Sequence, residues 1–233
     1  VNVLAFDTAT QYLSLALHSD KDCLQRQLML ETGHAKILFS EIDALLASAG
    51  MTIDDVDLLG VGNGPGSFTG VRVGVSAAQA IAYARSIPVI GVSSLAAIAA
   101  QANTECALAV MDARMDEVYA GYYRTVAGQP CLIGQESVLP AGDLVLPDAR
   151  SSDHDWSSQT WSLVALGWSV FGDRLLQALA ETRPVEVLED VQPSASVIAS
   201  VARARLESGD SGDWLELVPS YVRNQVAKVA SRA

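Results

Sequence analysis

The chain has 233 residues, half of them hydrophobic, with a mean hydropathy of +0.25; this excludes general disorder and leaves room for one large domain or two small lobes. Fifteen Lys and Arg against 27 Asp and Glu give a formal net charge of −12, a poor endowment for nucleic-acid binding, which draws on basic side chains neutralising phosphates. No apolar run reaches the roughly 20 residues that span a bilayer, and the scattered Cys23, Cys106 and Cys131, with no CxxC pair, read as reduced core thiols of a cytoplasmic protein.

Residues 1–6, VNVLAF, read as a buried strand. No basic region precedes it and no cleavage site follows, so no secretory signal is expected. The strand runs into Asp7-Thr8-Ala9-Thr10. YLSLALHS then alternates with period two, a turn falls at residues 19–22, and CLQRQLML supplies a third strand, which together make an antiparallel meander. From His34 the positions Leu38, Ile42, Leu45, Leu46 and Ala49 recur at helical spacing, with Gly50 as the stop. A strand ending in Leu58-Leu59-Gly60-Val61 leads into GNGPGSFTG, and the Ala-rich segment 70–85 is helical. PVIGV is the next strand and SLAAIAAQA the next helix.

The glycines at 62, 64, 66 and 70 are laid out as if to cradle an anion at a helix start. No Lys follows them, so the P-loop pattern fails; Ser67 stands where the dinucleotide pattern needs its third glycine. Three readings stay open for the loop: a tight structural turn, a partner-facing surface, and a nucleotide site. Arg72 in the first turn opposes the helix dipole, which points to a specific acceptor, either a phosphate or a partner's carboxylate.

The second half repeats the opening. VLAFDTATQYLSLAL and LAVMDARMDEVYAGYY share one plan of strand, Asp, short turn and second strand, with Asp7 and Asp112 in equivalent places. An internal duplication follows, with the boundary between lobes near residues 102–105. A Ser- and Asp-rich stretch at 148–161 reads as a surface loop, SLVALGWSVF as a strand entering a helix, and residues 193–209 as a helix with Ser194 as N-cap. After Glu216 no acid occurs, while Arg223, Lys228 and Arg232 are basic, a pattern that fits a solvated tail.

The motifs AFDTATQYLSLAL, GHAKIL, GNGPGSFTGVRVGVSAAQAIA, IPVIGVSSL, MDARMDEVYAGYY and PSYVRN resemble the TsaB (YeaZ) family, and they extend over nearly the whole chain. The resemblance implies an α/β chain of the two-lobed actin-like ATPase (ASKHA) fold: a duplicated mixed sheet with helices and a reduced second lobe. The lobes would be 1–103, joined by the C-terminal segment 218–233, and 104–217. It also implies a non-catalytic subunit of the machinery that makes threonylcarbamoyladenosine on tRNA. Such a chain forms a homodimer alone, pairs with the catalytic paralogue TsaD, takes TsaE as a third subunit, and meets tRNA only in the complex. Catalytic members resembling TsaD hold a metal with two histidines four apart after the strand matching IPVIGV. Here Ser94 and Ile98 stand at those places, and neither His18, His34 nor His154 has ligand spacing, so no metal and no cofactor is expected.

Two readings stand for the acids. Asp7 and Asp112 cap their turns, or Asp7, Thr8, Thr10, Gly64, Gly66, Ser67 and Asp112 form a vestigial site that binds nucleotide weakly. For the nearly all-apolar helix 70–85 the alternatives are a sandwich within its own lobe or a cover supplied by a partner. The resemblance implies the second, with an interface on helices 34–49 and 70–85 carried by His34, Ile37, Leu38, Glu41, Leu45, Arg72, Val73, Ala77, Ala78 and Ile81. His34 alone reads as a surface or capping residue. Ser67 and Thr69 lack a GxSxG elbow, and no catalytic residue is expected. The rival to the assembly subunit is an independent ATP-dependent small-molecule kinase of the same fold, which requires a general base and a fully equipped second phosphate loop.

Overall fold

The computed structural model describes residues 1–19, 22–30, 33–147, 159–180 and 185–222. Residues 20 and 21 of the expected first turn, His154 with most of the 148–161 loop, and the basic tail Arg223, Lys228 and Arg232 lie outside the described residues.

The period-two segments pair as expected. In the first sheet β1 (Val3–Asp7), β2 (Tyr12–His18) and β3 (Cys23–Met29) form the meander. The strands β4 (Leu58–Gly62) and β5 (Val89–Val92) add in parallel, giving the order β3-β2-β1-β4-β5. The second sheet repeats this with β6 (Cys106–Arg114), β7 (Glu117–Val126), β8 (Gln129–Pro140), β9 (Trp161–Leu166) and β10 (Val185–Leu188), in the order β10-β9-β6-β7-β8. Within each, the first hairpin is antiparallel and the later strands are parallel. This is a duplicated, two-lobed α/β arrangement with both mixed sheets built on one plan.

Helices α1 (His34–Ser48) and α2 (Phe68–Arg85) cover one face of the first sheet. Leu38, Ile42, Leu45 and Leu46 of α1 are buried there, and Gly50, just past the helix, takes φ +68° as a C-terminal stop requires. The second helix begins two residues earlier than its alanines suggest, because the Ser67 hydroxyl accepts the Gly70 N–H at 3.3 Å and caps it.

Helices α3 (Ser94–Ala99), α4 (Trp168–Leu179) and α5 (Ala195–Glu207) complete the fold. The core between the sheets is built by an exchange. The helix α3, within the segment 1–103, packs on strands of the second sheet, while α5, within 104–217, packs on the first. Ser194 occupies the N-cap of α5 but makes no capping bond; the Ser14 hydroxyl of β2 instead accepts the Ala195 N–H at 3.0 Å. Only Cys106 is a core thiol: Cys23 and Cys131 sit on the edge strands β3 and β8, which expose them. Among the described residues no helix is long and apolar enough to cross a membrane.

Candidate functional site

The glycine loop lies against the turn that follows β1. Thr8 is fully buried and its hydroxyl donates to Gly70 O at 2.7 Å, while the Ser67 N–H donates to Ala9 O at 2.7 Å. A Cβ on Gly70 would lie 2.1 Å from Thr8 O, and one on Gly66 would lie 2.5 Å from Ala9 O. The chain's own carbonyls thus pack against the loop that looks built for an anion: Ala9 O takes the Ser67 N–H, and Thr8 O and Ala9 O lie where side chains on Gly70 and Gly66 would stand. Gly64 is likewise engaged, its carbonyl accepting the Ser94 N–H at 2.8 Å. Thr10 faces its own hairpin, where its hydroxyl accepts the Tyr12 N–H at 3.0 Å.

The two acids behave alike. Asp7 Oδ1 accepts the N–H of Ala9 at 2.7 Å and Asp112 Oδ1 that of Arg114 at 2.9 Å, so each closes a turn two residues on. The duplication thus reaches down to a side-chain bond. After Asp112 the chain turns without glycine: Arg114, Met115 and Asp116 all take positive φ, a costly run for side chains with a Cβ.

Adjacent serines at the start of α3 tie the lobes together. Ser94, fully buried, donates to Asp7 Oδ2 at 2.7 Å in the first lobe. Ser93 caps α3 and donates to Glu136 of β8 in the second, where the Tyr123 hydroxyl also donates at 2.5 Å. Burial, with the Glu136 carboxylate beside it, raises the Tyr123 phenol far above the usual range. Among the described residues, no cluster of three or more His, Cys, Asp or Glu side chains could hold a metal ion.

Burial raises the Asp7 carboxyl from 3.8 to about 6, against the opposing bonds from Ser94 and Ala9. Because the folded-state value lies above the unfolded one, the associated stability is full below about pH 3.8 and is lost as pH rises through about 6. Asp7→Asn removes the charge and keeps the oxygen that accepts the Ala9 N–H, while its Nδ2 donates to the Ser94 hydroxyl, which donates to Asp7 in the parent. The variant should be more stable than the parent by about 2 kcal/mol near neutral pH and nearly equal to it near pH 4. Urea midpoints at the two pH values measure this, and an equal difference at both would contradict it.

The remaining candidates lie on α1 and α2, and they divide by face. Leu38, Leu45, Ala77, Ala78 and Ile81 are buried against the chain's own sheet, Ala78 at 0 % exposure. Their helical spacing marks the core side. Ile37 and Val73 are half-buried at its margin, Glu41 pairs with Arg26 at 2.7 Å, and His34 keeps an enclosed Nε2 without a hydrogen bond. The exposed residues of these helices include Phe39 on α1, and Phe68, Thr69, Ser76, Ala80 and Tyr83 on α2.

The second cover that α2 needs is partly intramolecular. Residues 214–221 run along its flank: Gln79 Nε2 donates to Leu217 O at 2.9 Å, Trp214 meets Tyr83 edge-on at 5.3 Å, and Leu217 is buried. Arg72, which called for an acceptor, finds aromatic faces instead. Its guanidinium lies 3.2 Å from the Phe68 ring centroid and 5.3 Å from that of Tyr221.

Comparison with known proteins fits this geometry. The family described as "TsaD: tRNA N6-adenosine threonylcarbamoyltransferase" matches residues 29–231. The chain is 41% identical over 233 residues to the tRNA threonylcarbamoyladenosine biosynthesis protein TsaB of Haemophilus influenzae, covering 97% of this chain and 95% of that one. It is 32% identical over 232 residues to the Escherichia coli protein of the same name, covering 97% and 96%. Among solved structures, YeaZ from Pseudomonas aeruginosa superposes with a TM-score of 0.84 at 32% identity, covering 94% of this chain and 99% of that one. With the duplicated fold, the glycine loop and full-length similarity in agreement, the chain belongs to the TsaB (YeaZ) family.

Proposed function

We propose that this chain is a non-catalytic assembly subunit for the formation of threonylcarbamoyladenosine on tRNA. It pairs with a TsaD-type catalytic subunit through the outer face of α1 and α2, and with a second copy of itself when that subunit is absent. TsaE joins as a third component, tRNA is acquired only in the complex, and the work is done in the cytoplasm. The observation that supports this reading is the turn after β1: Asp7 is buried, with one carboxylate oxygen on the Ala9 N–H and the other on the Ser94 hydroxyl, and Thr8 is tied to Gly70 O, so these side chains are engaged within the chain. The exposed row Thr69, Ser76 and Ala80 supports the pairing surface, because small residues let helices approach closely. The charge of −12 fits a chain that leaves RNA to a more basic partner.

Reconstitution tests the proposal. In a mixture of TsaD, TsaE, the enzyme supplying the threonylcarbamoyl donor, tRNA, bicarbonate, threonine and ATP, omitting this chain should stop modification. Adding the Asp7→Asn variant should restore it to within about threefold of the parent, a change of under ~1 kcal/mol. Steady ATP turnover by the chain alone, abolished by Asp7→Asn, would establish the kinase reading in its place.

A further inference from the structure

A cavity of about 520 Å³ lies between the β2–β3 hairpin and the segment that follows β10, on the face of the first sheet opposite α1 and α2. Its volume is within the range of small-molecule sites. Ser14, Gln25, Gln27, Gln101, Glu189 and Gln192 contribute to its walls.

The other charges along the lining are already engaged. Arg26 pairs with Glu41 at 2.7 Å, and Asp190 accepts the N–H groups of Gly167 and Trp168 at 3.2 and 3.1 Å. What remains is mostly neutral and able both to donate and to accept. Gln25 and Gln27, two apart on β3 and so on one face, have no side-chain hydrogen bond among the described residues. Ser14 Oγ accepts the Ala195 N–H and keeps its own proton to donate. Gln101 is fixed by two bonds from Nε2, to Ala97 O and Gln192 O, both at 2.8 Å. Gln192 Oε1 is enclosed with no donor, although buried polar atoms ordinarily find one.

A primary amide presents a donor and an acceptor side by side, the complement of two adjacent hydroxyl groups. Among the described residues no unpaired cation lines the cavity, and the Glu189 carboxylate would repel a phosphate. We infer that this cavity is a binding site for a neutral, polyhydroxylated small molecule of monosaccharide size, held by Gln25, Gln27, Gln192 and Ser14. The inference is independent of the pairing role, since none of these residues lies on α1 or α2.

Side-chain amide signals of ¹⁵N-labelled full-length protein provide the test, with D-ribose, D-glucose, myo-inositol and ribose 5-phosphate as probes. At least one neutral polyol should shift the Gln25 and Gln27 signals saturably, with Kd below about 10 mM. The double variant Gln25→Ala/Gln27→Ala, altered at exposed edge-strand positions, should unfold at the parent's temperature and bind about tenfold more weakly or worse. Ribose 5-phosphate should bind no more tightly than ribose. The inference is overturned if no neutral polyol gives a saturable shift, if the double variant binds as well as the parent, or if the phosphate strengthens binding.

Discussion

Gly70→Ala is expected to destabilise the protein by about 4 kcal/mol, well beyond an ordinary helical glycine replacement, which gains up to about 1 kcal/mol from propensity. The new methyl would sit 2.1 Å from Thr8 O. That oxygen cannot move aside cheaply: it is backbone, Thr8 is bonded to Gly70 O at 2.7 Å, and the next residue is held by the Ser67 N–H. Relief requires α2 to lift from the turn after β1, which opens the packing beneath Val71 and Val75. Urea denaturation reads the loss as a lower midpoint at unchanged slope. Gly142→Ala, in a short turn with nothing within 4 Å of the added carbon, is the control and should change little. If the two variants unfold alike, the approach of Thr8 O to Gly70 is not a packing contact in solution.

A pair of substitutions two residues apart on α2 should separate folding from assembly. Ala78→Arg places a guanidinium at a position of 0 % exposure among apolar side chains. A buried unpaired charge costs several kcal/mol, so this variant should fail to fold or lose most of its stability. Ala80→Arg adds the same group on the exposed face and should leave the unfolding temperature nearly unchanged. Its effect should be on association: self-dimerisation and binding to a TsaD-type subunit should each weaken by about 100-fold, or roughly 3 kcal/mol. Sedimentation velocity and a binding titration measure the two. Retained association of a folded Ala80→Arg protein, and of Ser76→Arg beside it, would move the pairing surface off α2.

The sequence by itself determined the local elements and their repetition. Period-two alternation in 12–18 and helical spacing at Leu38, Ile42, Leu45 and Leu46 are written in neighbouring residues, as is the strand–Asp–turn–strand plan repeated at Asp7 and Asp112. The order of motifs was enough to place the family. Of the interface residues that the family resemblance implied, Leu38, Leu45, Ala77, Ala78 and Ile81 are buried against the chain's own sheet, because an apolar stripe records which side is buried and not what buries it. Only the tertiary structure decided that Thr8 and Ala9 pack against the glycine loop about 60 residues away, that α3 and α5 trade sheets, and that residues 214–221 cover the flank of α2. These contacts join segments distant along the chain, and they follow from how finished elements dock, which no window of neighbouring residues encodes.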